Sequence, residues 1–381
     1  MVSVFEIFYR FLILGFVSFG GPIAHLGYFK KTFVDKLKWL DDVRYSKMIA
    51  LSQFLPGPSS SQVGFSIGLY KGGLFGAISA FIAFTLPSFI ALYLLVKYGI
   101  SSSDNALIIK VIASLKLFAV VIVVDAIFSM YKSFCNTKFT IAIFIVSTIS
   151  LIVFNSIFSQ IIVLVFSAVL GIFFIDKKTD IKDQKSKKTK KIPLVLFFLL
   201  LFGLPIISFY SKELEVFKAF YEAGSLVFGG GHVVLPLLEN SVGDMISKDS
   251  FILGYSLAQA VPGPMFTIAS YLGADIFISS PLKGALIATI AIFLPGFLLI
   301  LAFYDSFESY TKKANIINAI TAVNAAVVGL LSAVLFTTII PNGIFSLFDS
   351  IIVLVGIFII RKFKIPILYM ILFFIIIGFI R

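Results

Sequence analysis

Apolar positions in this chain do not alternate with polar ones. They run in blocks long enough to fill a bilayer, with polar residues confined to short breaks. Blocks at about 4–29, 46–70, 73–96, 106–131, 138–155 and 157–175 come first, then a polar stretch, then 193–210. A second series lies at about 214–238, 250–278, 284–304, 314–340, 344–360 and 365–380. Each is near the roughly 20 residues a helix needs to cross ~30 Å of hydrocarbon. Inside that layer a segment must satisfy its own backbone hydrogen bonds, so the blocks predict helices. The expected fold is an all-α polytopic membrane protein in a six, one, six arrangement.

The two series of six are copies of one unit. Phe19-Gly20-Gly21-Pro22 with His25, and then Gln53 with Pro56-Gly57-Pro58, recur as Phe228-Gly229-Gly230-Gly231-His232 and Gln259 with Pro262-Gly263-Pro264. Gly and Pro break helices, and a break at membrane depth leaves backbone groups unpaired at a cost of several kcal/mol. Such breaks persist where they line a site. The predicted organisation is an N-terminal repeat at 1–175, a basic linker at 176–192, a connecting helix at 193–210 and a C-terminal repeat at 211–381. If the linker is cytoplasmic, the connecting helix carries the chain across, and the second repeat is inverted relative to the first.

Composition agrees with the pattern. Hydrophobic residues make up 59% of the chain, charged residues 13%, and mean hydropathy is +1.07, which excludes a soluble globular domain. The first apolar block has no small-residue cleavage site after it and is read as part of the mature protein. Net charge is +12, but eight of the 31 basic residues are lysines between Lys177 and Lys191, in the linker. That clustering is a cytoplasmic, lipid-facing signature and no nucleic-acid footprint. Cys135 is the only cysteine, which excludes an internal disulfide and any paired-cysteine metal site. No His-Glu-x-x-His motif is present, and neither a metal nor a cofactor is expected.

Two topologies remain open. In one, all thirteen blocks cross. In the other, the signature-bearing blocks enter and leave on one face as re-entrant hairpins, giving nine crossings and four hairpins. The second moves the basic loop holding Lys30, Lys31, Lys36, Lys38, Arg44 and Lys47 to the linker's side, which strengthens the positive-inside bias.

The candidate chemistry lies at the breaks. A helix that restarts after Gly20-Gly21-Pro22, Pro56-Gly57-Pro58, Gly229-Gly230-Gly231 or Pro262-Gly263-Pro264 presents free N–H groups and the positive end of its dipole, an anion site. Ser59, Ser60, Ser61 and Gln62, and in the second half Thr267 and Ser270, add neutral donors suited to tetrahedral oxygens. Gln53 and Gln259 orient the loops or donate to oxygen. Helix ends alone are weak against a divalent ligand, so a full charge is expected, and Lys116, deep in block 106–131, is the candidate. Arg10 lies four residues after Glu6, the order of a helix ion pair. Asp125 is too far along the helix to bond Lys116 and is either a proton relay or a satisfied carboxyl. His25 and His232, the two histidines of the chain, are matched by the repeat and are candidates for proton coupling.

These motifs resemble the chromate ion transporter family in its long, two-domain form. The resemblance rests on Phe19 to Gly27, Gln53 to Gln62, Phe228 to Pro236 and Gln259 to Phe266, in family order, and covers nearly the whole chain. It implies an inner-membrane carrier of chromate, usually exporting it, with sulfate as the structural mimic; the expected mechanism is that the halves rock about the site. One departure stands: the family often has Leu-Lys-Pro where this chain reads Leu115-Lys116-Leu117. A passive anion channel is the nearest rival and would need no coupling group. Gly64, Ser66 and Gly68 fit a nucleophile-elbow spacing, but the strand-turn-helix setting that motif requires is absent from the pattern. A pure membrane scaffold is the remaining alternative. Oligomeric state is not readable.

Overall fold

The computed structural model describes residues 2–19, 21–98, 106–154, 156–175, 189–228, 234–306, 314–363 and 365–380, and among these the chain is helical with no strand. In the first half, α1 (Val4–Val17) breaks before α2 (Gly21–Phe29), which runs into a π-helical turn at Lys30–Lys36. Then come α3 (Asp42–Phe54), α4 (Ser59–Lys97), α5 (Ala106–Phe134), α6 (Lys138–Val153) and α7 (Ile157–Phe174). The connecting helix is α8 (Lys191–Ile207). The second half has α9 (Lys212–Leu226), α10 (Val234–Val242), α11 (Lys248–Ala260), α12 (Ile268–Ile276), α13 (Pro281–Phe303), α14 (Ala314–Val334), α15 (Leu347–Phe363) and α16 (Ile367–Ile380). Most of the basic linker lies outside the described residues.

Among the described residues, five helices are long and apolar enough to cross a membrane: α4, α5, α8, α13 and α14 with its continuation to Gly343. The limbs flanking the Pro-Gly-Pro breaks are half-length. Helices α3 and α11 have 13 residues each, about 20 Å at 1.5 Å per residue, short of the ~30 Å core. Block 46–70 is split by the Pro56-Gly57-Pro58 break between α3 and the first limb of α4, and the backbone leaves helical geometry at Gly72 and Gly73, the latter at φ 63°, before the second limb runs through block 73–96. The limbs close on a glycine pair, since a Cβ on Gly68 would lie 2.4 Å from the Gly76 carbonyl. The second half makes the same hairpin between α12 and α13, with Gly273 and Gly284 in the matching roles.

The halves are interlocked. Helix α14 packs on α6 and α7, where a Cβ on Gly329 would meet Ser147 at 2.7 Å and one on Gly171 would meet the Asn318 carbonyl at 2.4 Å. Helix α5 makes the reciprocal contacts, with Val121 against Gly356 of α15 and the Lys110 carbonyl against Gly378 of α16. Each half thus lends its fourth block to the last two helices of the other. The two halves of the sequence therefore do not pack as separate bodies.

Between α4 and α13 the core is aromatic. Phe65 stacks on Phe297 at 4.4 Å and Phe81 meets Phe293 at 5.0 Å. Buried aromatic pairs of this kind add about 0.5–1.5 kcal/mol each beyond their area, and they fix the two repeats face to face at the level of the breaks.

Candidate functional site

Each Pro-Gly-Pro loop docks on the opposite half. The Gly57 N–H donates to the Val227 carbonyl at 2.8 Å, and the Gly263 N–H donates to the Ser18 carbonyl at 2.9 Å. Val227 and Ser18 are themselves equivalent, each just ahead of its Phe-Gly-Gly element. Both glycines sit at positive φ, 126° and 105°, where a side chain is strained. Both also touch the other repeat closely: a Cβ on Gly57 would be 2.9 Å from the Gly296 Cα, and one on Gly263 would be 2.8 Å from the Ser88 Oγ. These reciprocal contacts bring each Pro-Gly-Pro loop against the residue just ahead of the other half's Phe-Gly-Gly element.

Among the described residues the helix starts at these loops lack a side-chain cap, as do those of α8 and α13, whereas most others have one. Side chains of Ser3, Asp41, Thr137, Ser156, Ser211 and Ser247 cap α1, α3, α6, α7, α9 and α11. Among the described residues no side chain caps α4 after Pro58, nor the 3₁₀ turn Met265–Thr267 after Pro264. The first internal backbone bond of α4 is from Gln62 N–H to the Pro58 carbonyl, so the N–H groups of Ser59, Ser60 and Ser61 point ahead of the helix.

Polar side chains gather around the first-half loop. His25 is fully buried, with Nδ1 3.2 Å from the Ser60 Oγ and its ring edge-on to Phe84 at 5.3 Å. The Gln62 amide donates to the Pro56 carbonyl at 2.8 Å and to the Gly296 carbonyl at 3.3 Å. Five buried polar atoms here lack a partner among the described residues: Ser18 Oγ, His25 Nε2, Ser61 Oγ, Gln62 Oε1 and Thr85 Oγ1. Each unpaired buried group costs about 1–3 kcal/mol. Such a concentration of unpaired groups at a backbone break is uncommon in a packed core.

Of the residues singled out from the sequence, Gly21, Pro22, Pro56, Gly57, Pro58, Ser59, Ser60, His25, Pro262, Gly263 and Pro264 lie in or beside these loops. Gly20, Gly229, Gly230, Gly231 and His232 lie outside the described residues. Gln53 and Gln259 differ: Gln53 is exposed, whereas Gln259 is buried with its amide 2.7 Å from the Met265 sulfur. Lys116 is buried but reaches away, to Asp249 at 2.7 Å. Asp249 is in the first turn of α11, about 20 Å along that helix from Pro262. Asp125 meets Arg361 at 3.6 Å, and Arg10 meets Glu6 at 3.6 Å in the expected helix pair. Among the described residues no group of three or more His, Cys, Asp or Glu side chains is placed to hold a metal ion.

Ser18, Thr85, Ser88 and Gly296 were not singled out from sequence. A signal existed: Leu86-Pro87-Ser88 and Leu294-Pro295-Gly296 are a second matched element, a proline inside a long helix with a small residue after it. The small residue is what lets the opposite loop approach.

Two interlocked helical repeats, with broken helices meeting between them and apolar spans around them, define a multi-pass membrane protein. The chain belongs to the chromate transporter family, whose model, "Chromate transporter", matches residues 5–172 and 214–379. It is 29% identical over 339 residues to an uncharacterized transporter of Methanocaldococcus jannaschii, covering 87% of this chain and 83% of that one. It is 26% identical to the chromate transport protein of Cupriavidus metallidurans (93% and 87% covered) and 24% identical to that of Pseudomonas aeruginosa (86% and 79%). No solved structure matches the chain.

Proposed function

We propose that this protein is a secondary transporter of a divalent tetrahedral oxyanion, chromate foremost, in the cell's inner membrane, with export as the direction. The observation that carries the reading is the reciprocal docking of Gly57 and Gly263, which sets the uncapped start of α4 and the unpaired polar groups of the first half against the Pro-Gly-Pro loop of the second. An oxyanion there receives N–H groups of Ser59 to Ser61 and the Ser61 hydroxyl. Such charge-assisted bonds are about twice as strong as neutral ones. The names of the relatives from Cupriavidus metallidurans and Pseudomonas aeruginosa support chromate as the substrate.

In this reading the repeats are inverted, the half-length limbs are re-entrant, and alternating access moves α1–α4 with α9–α13 against α5–α7 with α14–α16. Lys116, held by Asp249 away from the Pro-Gly-Pro loop, recruits anions at the mouth. His25 and His232 link anion movement to protons. Uptake into liposomes, with chromate, sulfate, molybdate and phosphate in competition, tests the substrate. Chromate flux that sulfate inhibits and phosphate does not is the expected result, and flux of none of these anions overturns it. Repeating the assay with an imposed proton gradient separates a coupled carrier, whose flux follows the gradient, from a passive channel, whose flux does not.

A further inference from the structure

A groove of about 500 Å³ runs between α6 and α7. Ser147 and Ser167 form its floor, 3% and 4% exposed, and Phe139, Val146, Ile162 and Phe166 wall it. Among the described residues no charged side chain lines it. Along the outer faces of the two helices Val146, Ile162, Val165 and Phe166 are exposed, so the groove opens toward the bilayer's hydrocarbon.

The second half contains the same slot, and there it is full. Aligning Gly171 with Gly378 puts Phe374 at the position of Ser167, and aligning Thr137 with Ser346 ahead of the two helices puts Gly356 at the position of Ser147. The Phe374 ring is fully buried, lies 3.0 Å from where a Gly356 Cβ would be, and meets Phe118 at 5.7 Å. One repeat thus fills the space between its last two helices with an aromatic side chain, and the other leaves it open over two serines. A slot of this size that no side chain fills gives its walls few dispersion contacts from the protein. Water would find only a few hydroxyls in it. Its dimensions and apolar walls are those of a site for a small apolar ligand.

We propose that this groove binds one acyl chain of a membrane lipid, standing where Phe374 stands in the other half. This binding requires the membrane setting and not the anion site. The full chain, reconstituted with a phospholipid carrying a photoactivatable group on its acyl chain, should label segment 138–174 several-fold more than segment 347–380. Ser167→Phe should remove that excess, Ser147→Leu should do the same if the first variant does not fold, and Phe374→Ala should create a labelled slot in the second half. Equal labelling of the two segments in the unaltered protein overturns the proposal, as does labelling of 138–174 that folded Ser167→Phe leaves unchanged. Cross-links joining two copies through Ile162 and Phe166 also overturn it, by placing a second copy in the groove.

Discussion

At Gly57 and at Gly263 the chain makes the same turn, donates the same hydrogen bond across to the opposite half and restarts a helix without a cap. The residues beyond the turn differ. After the first come Ser59, Ser60, Ser61 and Gln62, and after the second Met265, Phe266, Thr267 and Ile268. The Thr267 hydroxyl is satisfied by the Pro264 carbonyl at 2.6 Å, while the Ser61 hydroxyl has no partner among the described residues. Val227 stands where Ser18 does, and Phe293 where Thr85 does. Duplication has kept the backbone frame in both copies and concentrated the polar lining in one. A pseudo-symmetric frame can therefore hold an asymmetric site, with the second repeat supplying the wall that closes it.

The frame is the most sensitive part. Gly57→Ala introduces strain of about 1–3 kcal/mol and drives a Cβ toward the Gly296 backbone, which cannot rotate away, so about 3 kcal/mol or more of destabilisation is expected. Gly263→Ala carries the same strain but meets the Ser88 hydroxyl, which can turn aside. Thermal unfolding in detergent should show Gly57→Ala melting lower than Gly263→Ala, and equal melting would break the distinction.

Next comes the lining. Ser61→Ala removes a donor to a charged ligand, worth about 1.5–3 kcal/mol, so transport at low substrate should fall roughly 10- to 150-fold. Thr267→Val should change it little. The two uptake rates in liposomes check this, and similar losses in both would show that the polarity is shared.

A smaller effect is expected at the mouth. Asp249→Asn frees the Lys116 charge and should tighten apparent anion affinity, whereas Lys116→Met should weaken it, each roughly fivefold or about 1 kcal/mol, as for a part-exposed pair. Normal affinity in Lys116→Met would remove the lysine from the anion's path. Smallest is Glu6→Gln, which loses one helix surface pair and should cost no more than about 0.5 kcal/mol.

Much of the frame was legible in the sequence. The length of the apolar blocks, the recurrence of Gly-Gly and Pro-Gly-Pro, and the order of Glu6 and Arg10 are local signals, and local rules of helix breaking and pairing read them. The reciprocal docking was not legible, because Gly57 meets Val227 and Gly296 through contacts that span much of the chain and carry no local pattern. Lys116 shows the same limit. Its burial followed from its position in an apolar block, but its partner Asp249 lies 133 positions away on another helix, and only the packing of α5 on α11 brings them together. The exchange of α5 and α14 between the halves was hidden for that reason too: a repeat in sequence says that two units are alike and not which unit each helix packs on.

If the site is as asymmetric as its lining, the anion sits at the uncapped start of α4, closed off by the Gly263 loop of the other repeat. Anomalous diffraction from chromate bound to the purified protein tests this most directly. A chromium peak placed so that chromate oxygens accept from the Ser59 to Ser61 N–H groups, beside Gly263, is the expected result. A sole peak beside Lys116 and Asp249 instead, roughly 20 Å away along α11, would contradict it.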